Sequence, residues 1–343
     1  MLKYMRLQNR VRWTLCLSLI CLPVAPCAWT PTGNKDNILV CRPKTKPGQD
    51  VQDAFQEAFQ GLSQELGDEF ELTDFQLDGS TTVVDLEQQI IQVQPKLIVL
   101  MENRTVNLFK RYQQAQAEGS SFPPALILMA LNITKEINRV QHAIGISYDI
   151  PAIVSISQLN SLMRDPINRV GVLYREELSN YFEEEAAQCR QEEIELVGIK
   201  ITEAELNPKL VRQKLNDLIK RKKVDAIWIL NDSVIIQRDY LRRVWLPLLR
   251  SSRKPILVGA RPLLGIGHFG VFPDHVDMGA QAAEIIFDIQ EQNWSLEGFT
   301  QVVVPVGVIK GVNLRTVTNR LKINKEVLAE MDITLEKEQD LED

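Results

Sequence analysis

Residues able to do chemistry are few along these 343 residues. His142, His268 and His275 are the three histidines, and none stands in an H-E-x-x-H arrangement for metal-assisted hydrolysis. No G-x-S-x-G elbow for acyl transfer and no P-loop for phosphoryl transfer occurs. Gly265-Ile-Gly-His-Phe-Gly270 matches the dinucleotide fingerprint letter for letter. That fingerprint must join a strand directly to a helix that opens on the pyrophosphate. Here the six residues run on into Val271-Phe272 and read as a Gly-rich strand, with a helix beginning near Asp274. Glu183-Glu184-Glu185 lies in a helical stretch and reads as a solvated face rather than an acid/base pair. Beyond the first thirty residues only Cys41 and Cys189 remain, far apart and in no C-x-x-C, so a zinc or redox site is not expected. Both read as small buried apolar residues. The chain is therefore expected to be no enzyme and to use no cofactor or metal.

Polar residues that follow short apolar runs are more informative. Asn103, Arg104 and Thr105 come after Met101, together with Glu102; Asn132 comes after Met129. Tyr174 and Arg175 follow Leu173, Asn231 and Asp232 follow Leu230, and Arg261 follows Gly259. In open α/β sheets ligands bind at the C-terminal ends of the strands, where loops and helix N-termini expose N–H groups. Helix capping accounts for any single one of these residues equally well. Their common placement is what points to a cleft, formed if two such edges face each other.

The elements that must position them alternate. Asn37–Cys41, Glu69–Leu77, Pro95–Met101 and Ala125–Met129 read as strands, with helical spacing over Gln49–Leu66, Thr82–Val93 and Thr105–Ala117. The pattern restarts with strands over Asn168–Tyr174, Glu195–Ile201, Asp225–Leu230 and Pro255–Gly259, separated by helices over Glu177–Glu192, Leu210–Lys223 and Ser233–Leu249. Short apolar runs alternating with 3.6-residue periodicity indicate βαβ units on parallel sheets. Two successive α/β sheets follow, with Tyr148–Pro166 between them. The fold class is α/β.

Residues 1–28 have the layout of a signal peptide: a basic segment to Arg12, the apolar run Trp13–Leu22, then small residues to Ala28. The apolar run is shorter than the ~20 residues that a membrane-spanning helix needs. Val24-Ala-Pro-Cys27 also resembles a damaged lipoprotein box, with Pro26 where that box carries Gly or Ala. An exported, periplasmic protein is expected, with a lipid anchor at Cys27 as the alternative. The leader holds four basic residues and no acid, so a net charge of −6 for the chain leaves −10 for the remainder. Nucleic-acid affinity comes largely from Lys and Arg displacing counterions, so no nucleic-acid partner is expected.

Arg169-Val-Gly-Val-Leu-Tyr174, Asp225-Ala-Ile-Trp-Ile-Leu-Asn-Asp232, Lys254-Pro-Ile-Leu-Val-Gly259, Gly279-Ala-Gln-Ala-Ala-Glu284 and Asn313-Leu-Arg-Thr316 occur in that order. As an ordered set they resemble the ABC-transporter substrate-binding protein family that includes tryptophan- and tyrosine-binding lipoproteins. The resemblance implies the type I periplasmic-binding fold: two lobes, three crossovers at a hinge, and closure on a ligand. Lobe one would be 30–147 plus 273–300, and lobe two 148–272 plus 301–343. It implies a small-molecule ligand in the cleft and an ABC permease as membrane partner, or a sensor protein (kinase or cyclase) if the fold reports occupancy without transport. Ligand contacts are then expected from Asn103, Arg104, Thr105, Asn132, Tyr174, Asn231, Asp232, Arg261 and Phe272. The chain departs from the family where Glu102-Asn-Arg-Thr105 replaces a small Gly-Thr/Ser-Pro turn and where Ala260-Arg261 replaces an Ala/Ser-Asp/Glu pair. Arg104 or Arg261 would suit an amino-acid-like or anionic ligand, held bidentately; Arg104 could equally pair with Glu102.

Overall fold

The computed structural model describes residues 35–44, 50–251, 253–317, 321–324 and 326–335. The expected signal peptide, its cleavage region and Cys27 lie outside the described residues. No helix among those described is long and apolar enough to cross a membrane.

The first lobe is built along the chain from β1 (Asp36–Pro43), α1 (Asp50–Leu66), β2 (Phe70–Leu77), α2 (Val83–Val93), β3 (Leu97–Met101), α3 (Glu102–Ala115), β4 (Ala125–Leu128), α4 (Ile133–Ile137) and β5 (Ala143–Ile146). All these strands pair in parallel. Leu97-Ile-Val-Leu-Met101 is buried along its whole length because helices cover both faces of the sheet. Each such aliphatic side chain contributes roughly 1.5–3 kcal/mol on burial. Thr82 and Asp85 close a capping box on α2, which fixes where that helix starts.

The second lobe follows with α5 (Ala152–Leu162), β6 (Arg169–Arg175), α6 (Ser179–Gln191), β7 (Glu195–Ile201), α7 (Pro208–Lys220) and β8 (Ala226–Ile229). Asn207 caps α7, and Pro208 stands at its first turn, where its missing N–H is no loss. The helix expected from Ser233 starts only at α8 (Arg238–Tyr240), after a turn in which Asp232 accepts the Val234 N–H. It passes through a π turn at Leu241–Trp245 and continues as α9 (Leu246–Ser251). β9 (Ile256–Val258) is followed by a 3-10 turn over Arg261–Ile266 and by β10 (Phe269–Pro273). The Gly-rich stretch 265–270 is therefore divided between that turn and β10 rather than being one strand, and it leads into β10, not into a helix.

α10 (His275–Glu291) begins directly after β10, capped by Asp274, and packs back on the first lobe against α1. A Cβ at Gly61 would collide with the Val276 carbonyl, and one at Gly279 with the Ala58 carbonyl. Those glycines allow the two helix backbones to approach, and so set the first turns of α10 against the middle of α1. β11 (Val302–Val303) pairs with β5, β12 (Val308–Asn313) runs antiparallel to β10, and β13 (Ile333–Leu335) pairs with β12.

The strand orders are β11-β5-β4-β3-β1-β2 and β13-β12-β10-β9-β8-β6-β7. The chain passes between the sheets at 147–151, at 273–274 and at 304–307. These crossings are tied together, since the Ser147 N–H donates to the Val303 carbonyl (2.8 Å) and the Asp274 N–H to the Gly307 carbonyl (3.0 Å). Lobe two was expected to resume at 301. Val302 and Val303 instead complete the first sheet, so the third crossing comes after them. Cys41 and Cys189 are buried, one in each lobe.

Candidate ligand-binding cleft

The C-terminal edges of β3 and β4 supply one wall of a cavity of about 210 Å³, and those of β8 and β9 supply the other. At ~30 Å³ per water this holds about seven waters, the scale of one small organic molecule. Its lining is largely apolar. Phe55 and Ala54 of α1, Met129 and Leu131 after β4, and Ile236, Ala260 and Pro262 of the second lobe contribute most of the surface.

The first-lobe wall is held in an unusual backbone. Glu102 (φ 78°) and Met129 (φ 58°) both line the cavity in the left-handed region, and Asn132 (φ 54°) follows close by. For Glu and Met this conformation costs of order 1–3 kcal/mol and persists only where surroundings enforce it. Asn103 provides the enforcement: its side-chain amide donates to the Leu131 carbonyl (2.9 Å) and accepts from the Leu131 N–H (2.8 Å). It clasps the start of α3 to the loop after β4. Burial raises the Glu102 carboxyl above its ordinary range, against an opposing hydrogen bond from the Arg104 N–H.

Across the cleft, Arg261 leaves the end of β9 and meets Glu57 of α1 at 3.7 Å. That is long for a charge-assisted bond, which runs at about 2.7–2.9 Å. Glu57 is better engaged with its other oxygen, 3.0 Å from His275 Nδ1. His275 is buried at the first turn of α10, and its Nε2 stands 3.2 Å from the Tyr148 hydroxyl in the first crossing. Tyr148 and His275 also stack, with ring centroids 5.9 Å apart. In the tautomer that donates from Nδ1 to Glu57, Nε2 accepts the Tyr148 proton, which leaves the phenol oxygen as an acceptor. Burial, foremost, pushes the Tyr148 phenol up to about 12, so it stays protonated at neutral pH and serves as a hydrogen-bonding group rather than as a base.

Asn231 closes the floor. Its amide nitrogen donates to Asp149 (2.8 Å) and to the Gly259 carbonyl (3.2 Å). Both neighbours on that side are acceptors, which fixes the orientation of the amide. Its oxygen is a buried acceptor with no hydrogen-bond partner. Burial raises the Asp149 carboxyl, while the Asn231 amide and the Asn132 N–H pull it the other way.

Of the nine residues expected at the ligand, Asn103, Asn231 and Arg261 line the cavity. Asn132 sits beside it, at the start of α4. Arg104 turns away to the Asp78 carbonyl and lines an outer groove with Arg111. It does not pair with Glu102, because two residues along α3 turn its side chain about 200° round the helix, off the cleft. Thr105 is buried and bonds back to the Met101 and Glu102 carbonyls, 2.9 Å each. Tyr174 stacks on Phe182 at 4.3 Å, Asp232 is buried against Arg175 (2.7 Å), and Phe272 is fully in the core. Phe55, Glu57, Tyr148 and His275 were not anticipated. A signal existed for His275, since Asp274-His275 caps and opens a helix straight after a strand. Glu185 also departs from expectation: Glu183 and Glu184 are exposed, but Glu185 is buried and accepts the Ala152 N–H at 2.6 Å.

No protein-family model matches the sequence, and no curated protein matches it. Solved structures do. An ABC domain in complex with L-Trp from Streptococcus pneumoniae shares 17% identity over 88% of this chain and 100% of its own, at a TM-score of 0.56. A ligand-free, open substrate-binding protein with adhesive properties from Clostridium difficile shares 13% over the same fractions, at 0.60. A conserved domain protein from Vibrio cholerae shares 16%, again over 88% and 100%, at 0.54. Two largely parallel α/β sheets joined by three crossings, together with these neighbours, give the chain a two-lobe α/β fold similar to that of these substrate-binding proteins.

Proposed function

We propose that the chain is an exported solute-binding protein that closes its two lobes on a small carboxylate with an apolar body and delivers it to an ABC permease, performing no chemistry itself. The observation that carries this reading is Arg261. It projects from lobe two into a largely apolar cleft, and its only carboxylate partner among the described residues, Glu57, belongs to lobe one and stands at 3.7 Å. A guanidinium has five donors arranged to take a carboxylate bidentately, and one distant Glu57 oxygen leaves that capacity largely unused. The Tyr148 oxygen supplies an acceptor for a donor on the same ligand. Asn103 contributes by holding the wall, and Phe55 by packing against the apolar body. Because contacts come from both lobes, a bound ligand stabilises the closed state over the open one.

Calorimetric titration with small aliphatic and aromatic carboxylates tests this, with wild type and Arg261→Ala side by side. Charge-assisted bonds of this kind are worth ~1.5–3 kcal/mol. Arg261→Ala is therefore expected to weaken binding by ~10- to 100-fold while leaving the melting temperature of the empty protein nearly unchanged. An unaltered dissociation constant removes Arg261 from the site and this reading with it.

A further inference from the structure

The net charge of −6 conceals a strongly basic sector. Residues 207–254 hold thirteen Lys and Arg against four Asp, a net of +9, which leaves −15 for the rest of the chain. The sector is one surface. α7 and the helical run 238–251 lie side by side on the second sheet, with Leu215 and Leu218 sharing a buried cluster with Val244 and Trp245. Their outer faces and the turn that follows α7 carry the charge. Arg212, Lys220, Lys222, Lys223, Arg238 and Arg242 are all exposed and make no ion pair among the described residues. Lys214, Arg221 and Arg243 do have carboxylate neighbours, Glu205, Asp217 and Asp239.

We propose that this face docks the protein onto an anionic bilayer surface. Charge complementarity alone would also admit an acidic protein, but the composition of the patch separates the two. A protein interface has an apolar centre. The exposed large apolar residues of the described chain are Val84, Ile91, Val276, Val304, Val306 and Val308, none of them within 207–254. A dispersed set of long cationic side chains without fixed partners and without an apolar anchor suits a diffuse sheet of headgroups, where each Lys or Arg near the surface adds to binding. Adsorption of this kind leaves the cleft untouched and stands apart from the ligand reading.

The test is co-sedimentation with vesicles of phosphatidylglycerol mixed with phosphatidylcholine, and with vesicles of phosphatidylcholine alone. Wild type is compared with Lys220→Gln/Lys222→Gln/Lys223→Gln and with a matched first-lobe triple of exposed basic residues, Lys96→Gln/Arg111→Gln/Lys135→Gln. All share the same N-terminus, so any contribution of the leader cancels. Wild type is expected to bind only the anionic vesicles and to leave them as salt shortens the Debye length. The 220–223 triple should lose about a hundredfold in partitioning and the first-lobe triple almost nothing. Equal binding to both vesicles, no binding to either, or equal losses in the two triples overturns the proposal. Carboxylate titration of the same variants reports separately on the cleft.

Discussion

Glu185→Gln isolates a single buried carboxyl and gives a pH dependence that can be worked from the structure. Glu185 lies on α6 and accepts the Ala152 N–H at the start of α5, just past the first crossing. Burial, its largest influence, pushes the carboxyl from 4.5 up to about 7, with the hydrogen bond opposing and nearby Asp149 and Glu184 reinforcing. Between the unfolded value near 4.5 and the folded value near 7, the folded state holds a proton that the unfolded state has released. Stability therefore falls as pH rises through this window. At 1.36 kcal/mol per unit, the fall attributable to Glu185 is about 3 kcal/mol. Glutamine keeps an oxygen to accept the Ala152 N–H and removes the titration. Urea unfolding of both proteins on either side of the window is the assay. The stability of wild type relative to Glu185→Gln is expected to drop by about 3 kcal/mol between the acid and alkaline sides, other titrating groups cancelling in the difference. Parallel profiles would refute the assignment of a buried, raised carboxyl at this position.

Two further substitutions probe the cleft and its frame. Glu57→Gln removes the charge that competes for Arg261 but keeps an acceptor for His275; carboxylate affinity is expected to rise up to ~5-fold, as for loss of a ~1 kcal/mol competing pair, measured by calorimetry. Gly279→Ala forces a methyl against the Ala58 carbonyl and should destabilise the protein by ~1–3 kcal/mol in urea unfolding, with weaker ligand binding as α1 and α10 separate.

The α/β alternation was legible because central parallel strands such as Leu97–Met101 and Ala226–Ile229 are buried on both faces and read as continuous apolar runs. β5, β11 and β13 are short and lie towards the sheet edges, so pattern alone left them unread. The loops that face the cleft were also legible, since Asn103, Asn231 and Arg261 follow strand ends. Which neighbour turns inward was not. Arg104, adjacent to Asn103, reaches the opposite side, and Asp232, adjacent to Asn231, is taken up by Arg175. Such choices depend on local helical phase and on partners more than fifty residues away. Glu57 and His275 are farther apart still, joined only because two glycines let α1 and α10 touch.

Native mass spectrometry of the protein purified without refolding tests the binding cleft most directly. A bound acid of the size that about 210 Å³ admits is expected as an added mass that disappears on denaturation and is absent from Arg261→Ala. An added mass retained equally by Arg261→Ala, or an empty spectrum followed by a flat thermal-shift screen of small carboxylates, would contradict it.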